Sequence, residues 1–280
     1  MKRILVSLSL AFCFASNANA QIPVLELHGG ASYYIGELNP YQHFINPKFA
    51  GGVSLKLFMN PRFALRGGYS YLRAEGNDSE SSSANQVNRN LYFRSNIHEL
   101  HAGVELNFFK YKPGDMQYHP YTPYLFVGLA YFRMNPQGVY NDEYIDLQPL
   151  GTEGQGTSAN PEEQYRLNQI SIPFGLGFRV NMNELTTLGL EFGMRKTFTD
   201  YLDDVSGYYA DPSILEAEAG PLTAEMADQS LEGQGSGGTN AGVQRGSPNN
   251  QDWYAYAGIT FSFILRKESQ CRNNFRQKRF

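Results

Sequence analysis

The sequence predicts an all-β fold, an eight-stranded antiparallel transmembrane β-barrel with short periplasmic turns and long loops on the other rim, and three observations predict it. Apolar residues recur at every second position in eight segments, the period that puts successive side chains on opposite faces of a strand. The connections between those segments alternate between short and long. After the N-terminal leader no run approaches the roughly 20 apolar residues of a membrane helix, so a chain that crosses a membrane must cross it as a closed barrel.

In chain order, Lys2 and Arg3 form a basic n-region, Ile4 to Ala15 an apolar run, and Ala18-Asn19-Ala20 a small-x-small cleavage site. This predicts a signal peptide over 1–20 and a mature chain from Gln21. Phe12 is too bulky for a lipoprotein acylation site at Cys13, and loss of Cys13 with the leader leaves Cys271 alone, without a disulfide. The barrel is expected over 21–265 and a basic C-terminal tail over 266–280. With 19 Tyr, 19 Phe and 28 Gly, and a negative mean hydropathy, the composition fits short oily strands between polar loops.

The first expected strand, Val24 to Tyr34, sets Leu25, Leu27, Ala31 and Tyr33 against Glu26, His28 and Ser32. Phe49 to Phe58 sets Val53, Leu55 and Leu57 against Ser54 and Lys56, and Phe63 to Leu72 sets Leu65, Tyr69 and Tyr71 against Arg66, Gly68 and Ser70. Ile97 to Phe108 alternates His98, Leu100, Val104 and Leu106 with Glu99, His101, Glu105 and Asn107. Tyr121 to Phe132 is apolar on both parities, so its inward face is open. Gln169 to Val180 sets Ile170, Ile172, Phe174 and Phe178 against Ser171, Gly175, Gly177 and Arg179. From Thr186, Leu188, Leu190, Phe192 and Met194 oppose Gly189, Glu191, Gly193 and Arg195, and Trp253 to Leu265 opposes Ile259, Phe261 and Phe263 to Tyr254, Tyr256 and Ser262.

Asn60-Pro61 and Asn181 to Glu184 are tight turns and Phe109 to Pro120 a moderate one, whereas 35–48, 73–96, 133–168 and 198–252 are long. A membrane barrel sorts its connections this way. Hairpins within the last two long loops would raise the count to ten strands, the alternative. Eight strands enclose only enough space for their own side chains. The inward list of Glu26, Glu99, Glu105 and Glu191 with Lys56, Arg66, Arg179 and Arg195 is balanced, and predicts an internal ion-pair plug in place of a conducting pore.

No catalytic site, cofactor or metal is expected. The run Gly151 to Gly156, GTEGQG, lacks the lysine and the strand-to-helix context of a phosphate loop, and is read as a tight loop packed on the barrel mouth. His98 and His101 point to opposite faces, and the rim carboxylates Asp200, Asp203 and Asp204 have only His43, on a distant loop, as a rim-side base. Residues 198–251 carry nine carboxylates and one cation, Arg245, and 136–165 six carboxylates and none basic. Lys196 or Arg195 is expected to pair with Asp200, Asp203 or Asp204 and pin the root of the acidic loop. On the opposite rim, Lys110, Lys112 and the tail residues Arg266, Lys267, Arg272, Arg276, Lys278 and Arg279 are candidate periplasmic docking positions. Nothing in the tail interleaves aromatic and basic residues as a nucleic-acid binder would, and no small-molecule substrate is expected.

The runs SYYIGELNP (Ser32 to Pro40), RNLYFRSNIHEL (Arg89 to Leu100), YTPYLFVGLAYFRMNP (Tyr121 to Pro136), LQPLGTEGQG (Leu147 to Gly156), SIPFGLGFR (Ser171 to Arg179), RKTFTDYLDDVSGYY (Arg195 to Tyr209) and DWYAYAGIT (Asp252 to Thr260) resemble the PorG-type outer-membrane β-barrel proteins of the type IX protein secretion system. The resemblance covers nearly all of the mature chain. It implies a non-enzymatic barrel in the bacterial outer membrane, with outer-membrane lipid and a periplasmic ring of a lipoprotein and its partner subunit as associates. The alternative reading is an adhesin-like surface barrel whose acidic loops bind cations or lipopolysaccharide.

Overall fold

A computed structural model describes residues 22–39, 46–235 and 238–265. The expected signal peptide, His43 and the basic tail lie outside the described residues. Period-two alternation becomes ten antiparallel strands: β1 (Ile22–Ile35), β2 (Lys48–Phe58), β3 (Phe63–Asn77), β4 (Tyr92–Asn107), β5 (Tyr121–Arg133), β6 (Pro136–Tyr140), β7 (Glu143–Asp146), β8 (Asn168–Asn181), β9 (Thr186–Thr197) and β10 (Trp253–Ile264). Eight of them close into a barrel in the order β1-β2-β3-β4-β5-β8-β9-β10, and the β1–β10 pairing, with Leu27 opposite Phe261 and Gly30 opposite Gly258, seals the ring. The remaining two, β6 and β7, form a hairpin inside a long loop. It pairs with β4 only at Arg94 and Ser95, above the point where β5 leaves that strand, so it raises the wall without widening the barrel.

The tight turns follow from asparagine chemistry. Asn60 Oδ1 accepts the backbone N–H groups of Arg62 and Phe63, and Asn183 Oδ1 those of Leu185 and Thr186, each closing a side-chain turn between adjacent strands.

The outward parity of every barrel strand is apolar and bare: Leu27, Leu55, Leu65, Leu100, Leu129, Leu176, Leu190 and Ile259 are all exposed, Leu129 to 71%. An apolar belt running all the way round far exceeds the patches of a few hundred Å² that soluble monomers tolerate. It meets lipid, and the chain is an outer-membrane barrel. Aromatic side chains mark both edges of the belt, with Phe109, Tyr121 and Phe178 in contact at the turn end and Phe174 against Trp253 at the loop end.

The interior is layered. Toward the loops, Tyr34, Leu72, Phe93, Ile97, Phe132, Met134 and Tyr254 pack with Leu202 and Val205, which descend from the last long loop. Toward the turns, Val24, Phe58, Ala64 and Tyr111 form a second apolar cluster. The buried charges lie between. The open inward face of β5 is resolved here: Thr122, Tyr124, Phe126 and Phe132 point in, and Leu125, Val127, Leu129 and Tyr131 point out. This strand is oily on both faces because its inward rings cover guanidinium planes, Arg66 lying 4.4 Å from the Phe126 centroid and Arg179 3.7 Å from that of Tyr124.

The long loops fold into a cap. It holds α1 (Ala84–Arg89), the β6–β7 hairpin, α2 (Pro212–Glu218) and α3 (Pro221–Ala227). Loops meet through backbone bonds such as Leu231 N to Asn88 O at 2.9 Å, and through Ser158 N to the Glu218 carboxylate at 2.7 Å.

Candidate functional site

Two buried polar constellations lie along the barrel axis. The first is built from strand residues. Lys56 Nζ stands 2.7 Å from Glu26 and 2.8 Å from Glu105, both partners buried. Arg66 grips Glu191 with two bonds, 2.8 and 3.1 Å, and reaches Glu105 at 3.3 Å. Arg179 also pairs with Glu105, and Arg195 Nε lies 3.4 Å from Glu99. Hydroxyls complete the acceptors: Tyr124 donates to Glu191 and Tyr254 to Glu99, each at 2.8 Å, and Ser262 to Glu26 at 2.9 Å. All eight inward charges therefore fall into one band, four of each sign.

Small inward residues on β8 and β9 make room for it. A Cβ added at Gly177 would lie 2.3 Å from the Tyr124 ring, and one at Gly193 2.6 Å from Phe126 and 2.9 Å from Arg195. Ions this deeply buried are tolerable only when paired, since an unpaired one costs several kcal/mol, of the order of 3–5 when a partner is removed. Apolar layers lie above and below this band.

The second constellation is the floor of the cap. Tyr34 Oη lies 2.5 Å from Asp203 and 2.8 Å from Asp252, donating its one proton to one carboxylate and accepting from the other when that acid is protonated, while Val205 N–H and Leu202 N–H bind the same two carboxylates at 3.0 and 2.9 Å. Asp204 accepts from Tyr165 at 2.6 Å and from Thr152, and Arg245 lies 3.7 Å from it and 3.2 Å from Glu153. Glu153 also takes the N–H groups of Ser206 and Gly207 at 2.8 and 3.0 Å. Arg89 holds Asp78 through two bonds and donates to the Arg245 carbonyl at 2.6 Å.

Burial raises the affinity of these acids for protons. Asp203 and Asp252 are pushed well above the usual carboxylate range, first by desolvation and then by neighbouring acids. Asp200 is pushed up to about 7 and Asp204 to about 6, the latter held down by Arg245.

The expected pinning of the loop root is corrected in its partners. Asp203 and Asp204 are buried and remote from the strand cations, because the alternation of β9 turns Arg195 inward and down to Glu99 and puts Lys196 outside, 6.0 Å from the Trp253 ring. Arg245, from the far end of the same loop, supplies the charge that Arg195 and Lys196 do not. Its being the lone cation among nine carboxylates was the available signal. Glu153, Tyr34, Glu37 and Asp252 carried none, since their roles depend on contacts across many residues. GTEGQG holds its own acidic side chain, Glu153, in the buried network, which excludes a phosphate. Lys110 and Lys112 are exposed on the moderate turn between β4 and β5. His28 contacts Ser70, His101 Ser54 and Glu99, and His98 the outer hydroxyl of Tyr69.

Among solved structures the chain is similar to the N-terminal β-barrel domain of OprF from Pseudomonas aeruginosa, at 14% identity, covering 86% of this chain and 97% of that one with a TM-score of 0.34. It is also similar to Ail, the attachment invasion locus protein of Yersinia pestis, at 8% identity, 87% and 99% coverage and a TM-score of 0.39. A major outer membrane protein from Thermus thermophilus is similar at 11% identity, 88% and 99% coverage and a TM-score of 0.39. No curated protein matches the sequence. A family model matches residues 2–216, and the chain belongs to that family, the domain of unknown function DUF6089.

Proposed function

We propose that the chain is a non-enzymatic anchor in a protein secretion machinery of the type IX kind, docking a periplasmic ring of lipoprotein and partner subunit at the outer membrane. The observation that carries this reading is the sealed interior: a barrel whose axis is filled by paired charges between apolar layers works through its surfaces, not as a conduit. The resemblance of its loop and strand motifs to PorG-type barrels supplies the machinery. Its turn-side lysines, Lys110 and Lys112, and the basic tail from Arg266 to Arg279 are the surfaces on which an acidic periplasmic partner would sit. Solubilising membranes in mild detergent and purifying the tagged barrel tests this. A periplasmic lipoprotein that co-purifies, and that is lost when Lys110, Lys112 and the tail cations are replaced by glutamine, is the expected result. Intact cargo secretion and an intact ring in a deletion strain would overturn it.

A further inference from the structure

We propose that Glu37, Asp200 and Asp252 form a calcium site in the floor of the cap. One carboxylate oxygen from each comes within 4.8 Å of the other two. Three oxygens this close can share one ion, an all-oxygen donor set suits a hard cation, and Ca²⁺ accepts the irregular geometry of ligands fixed by three separate chain segments, whereas Mg²⁺ demands a near-ideal octahedron and dehydrates reluctantly.

The second observation is the state of the acids. Asp200 is only 9% exposed, neither of its oxygens has a hydrogen-bond partner within 3.5 Å, and the Ser206 side chain is the one neighbour that favours its charge. Glu37 Oε2 is likewise buried without a donor within 3.5 Å, the Glu37 carboxyl group meets that of Asp252, and its Oε1 accepts from Ser247 N–H at 3.3 Å. The neighbouring acids are served: Asp78 has Arg89, and Glu153 and Asp204 share Arg245. Among the described residues no lysine or arginine side chain pairs with Glu37, Asp200 or Asp252. Arg89, the nearest guanidinium, is committed to Asp78 and to backbone carbonyls.

The three ligands come from three chain segments, the end of β1, the loop root after β9 and the entry to β10, and the framework fixes them. Tyr34 and the Leu202 N–H orient Asp252. Gly36 leaves the space beside it open, since a Cβ there would lie 2.1 Å from Asp252 Oδ1. A cleft of about 880 Å³, lined by Gly36, Glu37, Arg89, Arg245 and Trp253, opens the Glu37 side to the outer face. Bound there, Ca²⁺ joins both ends of the last long loop to β1. The proposal is independent of ring docking.

The test uses the full chain in detergent, stripped with EDTA and titrated with CaCl₂ and with MgCl₂ by calorimetry. One Ca²⁺ per chain is expected, saturating at about 10⁻⁵ to 10⁻³ M, the range of extracellular modules and weak sensors, with Mg²⁺ at least tenfold weaker. Asp200→Asn and Glu37→Gln should each weaken binding tenfold or more, and Glu163→Gln, on an exposed loop, should leave it unchanged. Heat-modifiable gel mobility reports whether each variant's barrel is folded. If Asp200→Asn fails that check, Glu37→Gln, at a half-buried position, carries the comparison. No saturable Ca²⁺ binding by the wild type, Mg²⁺ bound as tightly as Ca²⁺, or unchanged binding in the folded variants would overturn the site.

Discussion

Glu105→Gln is the sharpest test of the sealed interior. Glu105 is fully buried and takes three cations: Lys56 at 2.8 Å, Arg66 at 3.3 Å and Arg179. Glutamine keeps the shape and one acceptor but removes the charge, turning a neutral band of eight ions into one with a surplus positive charge. Removing one member of a buried ion pair costs about 3–5 kcal/mol, equivalent to about two to four decades in the folding equilibrium. Urea unfolding of the barrel in lipid vesicles, followed by the gel shift between folded and unfolded forms, reads that loss directly. Lys56→Met removes a cation from the same cluster, so the double variant restores neutrality. Its destabilisation should fall short of the sum of the two single effects by about 1–3 kcal/mol. A cost below about 1 kcal/mol for Glu105→Gln, or additivity within about 0.5 kcal/mol, would mean that the band is hydrated and that the barrel is not closed by its own charges.

Other outcomes follow from the cap and the glycines. Arg245→Ala leaves Glu153 and Asp204 buried together without a cation, and protease cleavage within 198–252 should rise at least tenfold while barrel gel mobility is unchanged. Asp204 is faced by Arg245, Glu153, Tyr165 and Thr152, and burial raises it to about 6 from an unfolded value of 3.8. An acid raised in the folded state stabilises fully below its unfolded value, and that contribution, about 3 kcal/mol, is lost as pH rises through 6. With EDTA present, cap proteolysis should therefore accelerate between pH 4 and pH 7, and Asp204→Asn should flatten part of that rise. Gly193→Val drives a side chain into Phe126 and Arg195, and should lower barrel stability in urea by about 1–3 kcal/mol or more. Excising 212–240 should leave the barrel inserted and still non-conducting in planar bilayers, because Tyr209 and Val243 pair across the neck of that excursion and the seal lies below it.

Which strands exist, and which way Leu190, Glu191 and Arg195 point, could be read from the chain because a period of two is a local property of consecutive residues. The strand count could be read for the same reason, and so could the sorting of loops. The inward face of β5 could not, because Tyr124 and Phe126 serve the interior as aromatic cover for arginines contributed by β8 and β3, an arrangement that no local pattern encodes. Pairing inside the barrel is equally non-local. Arg66 and Glu191 are 125 positions apart, and only the closed register brings their strands face to face. The acidic loop was the least legible. Charge alone paired its root with Arg195 or Lys196, the nearest cations in sequence, yet Asp203 and Asp204 are 1% exposed, inside a floor whose partners come from β1, from GTEGQG and from Arg245.

The two constellations differ in a way that assigns them different work. The barrel band balances four anions with four cations, so its charges satisfy one another without a proton or ion from solution. The cap floor does not balance: among the described residues Asp78, Glu153, Asp200, Asp203, Asp204 and Asp252 are buried there against Arg89 and Arg245. Six acids with two arginines must recruit positive charge from solution, as protons on Asp203 and Asp252 or as a cation between Glu37, Asp200 and Asp252. The membrane-spanning part is thereby insulated from the medium, whereas the stability of the outer surface is set by what the medium supplies. Any partner or ion that regulates this protein from outside would act through the cap and leave the barrel beneath it unchanged.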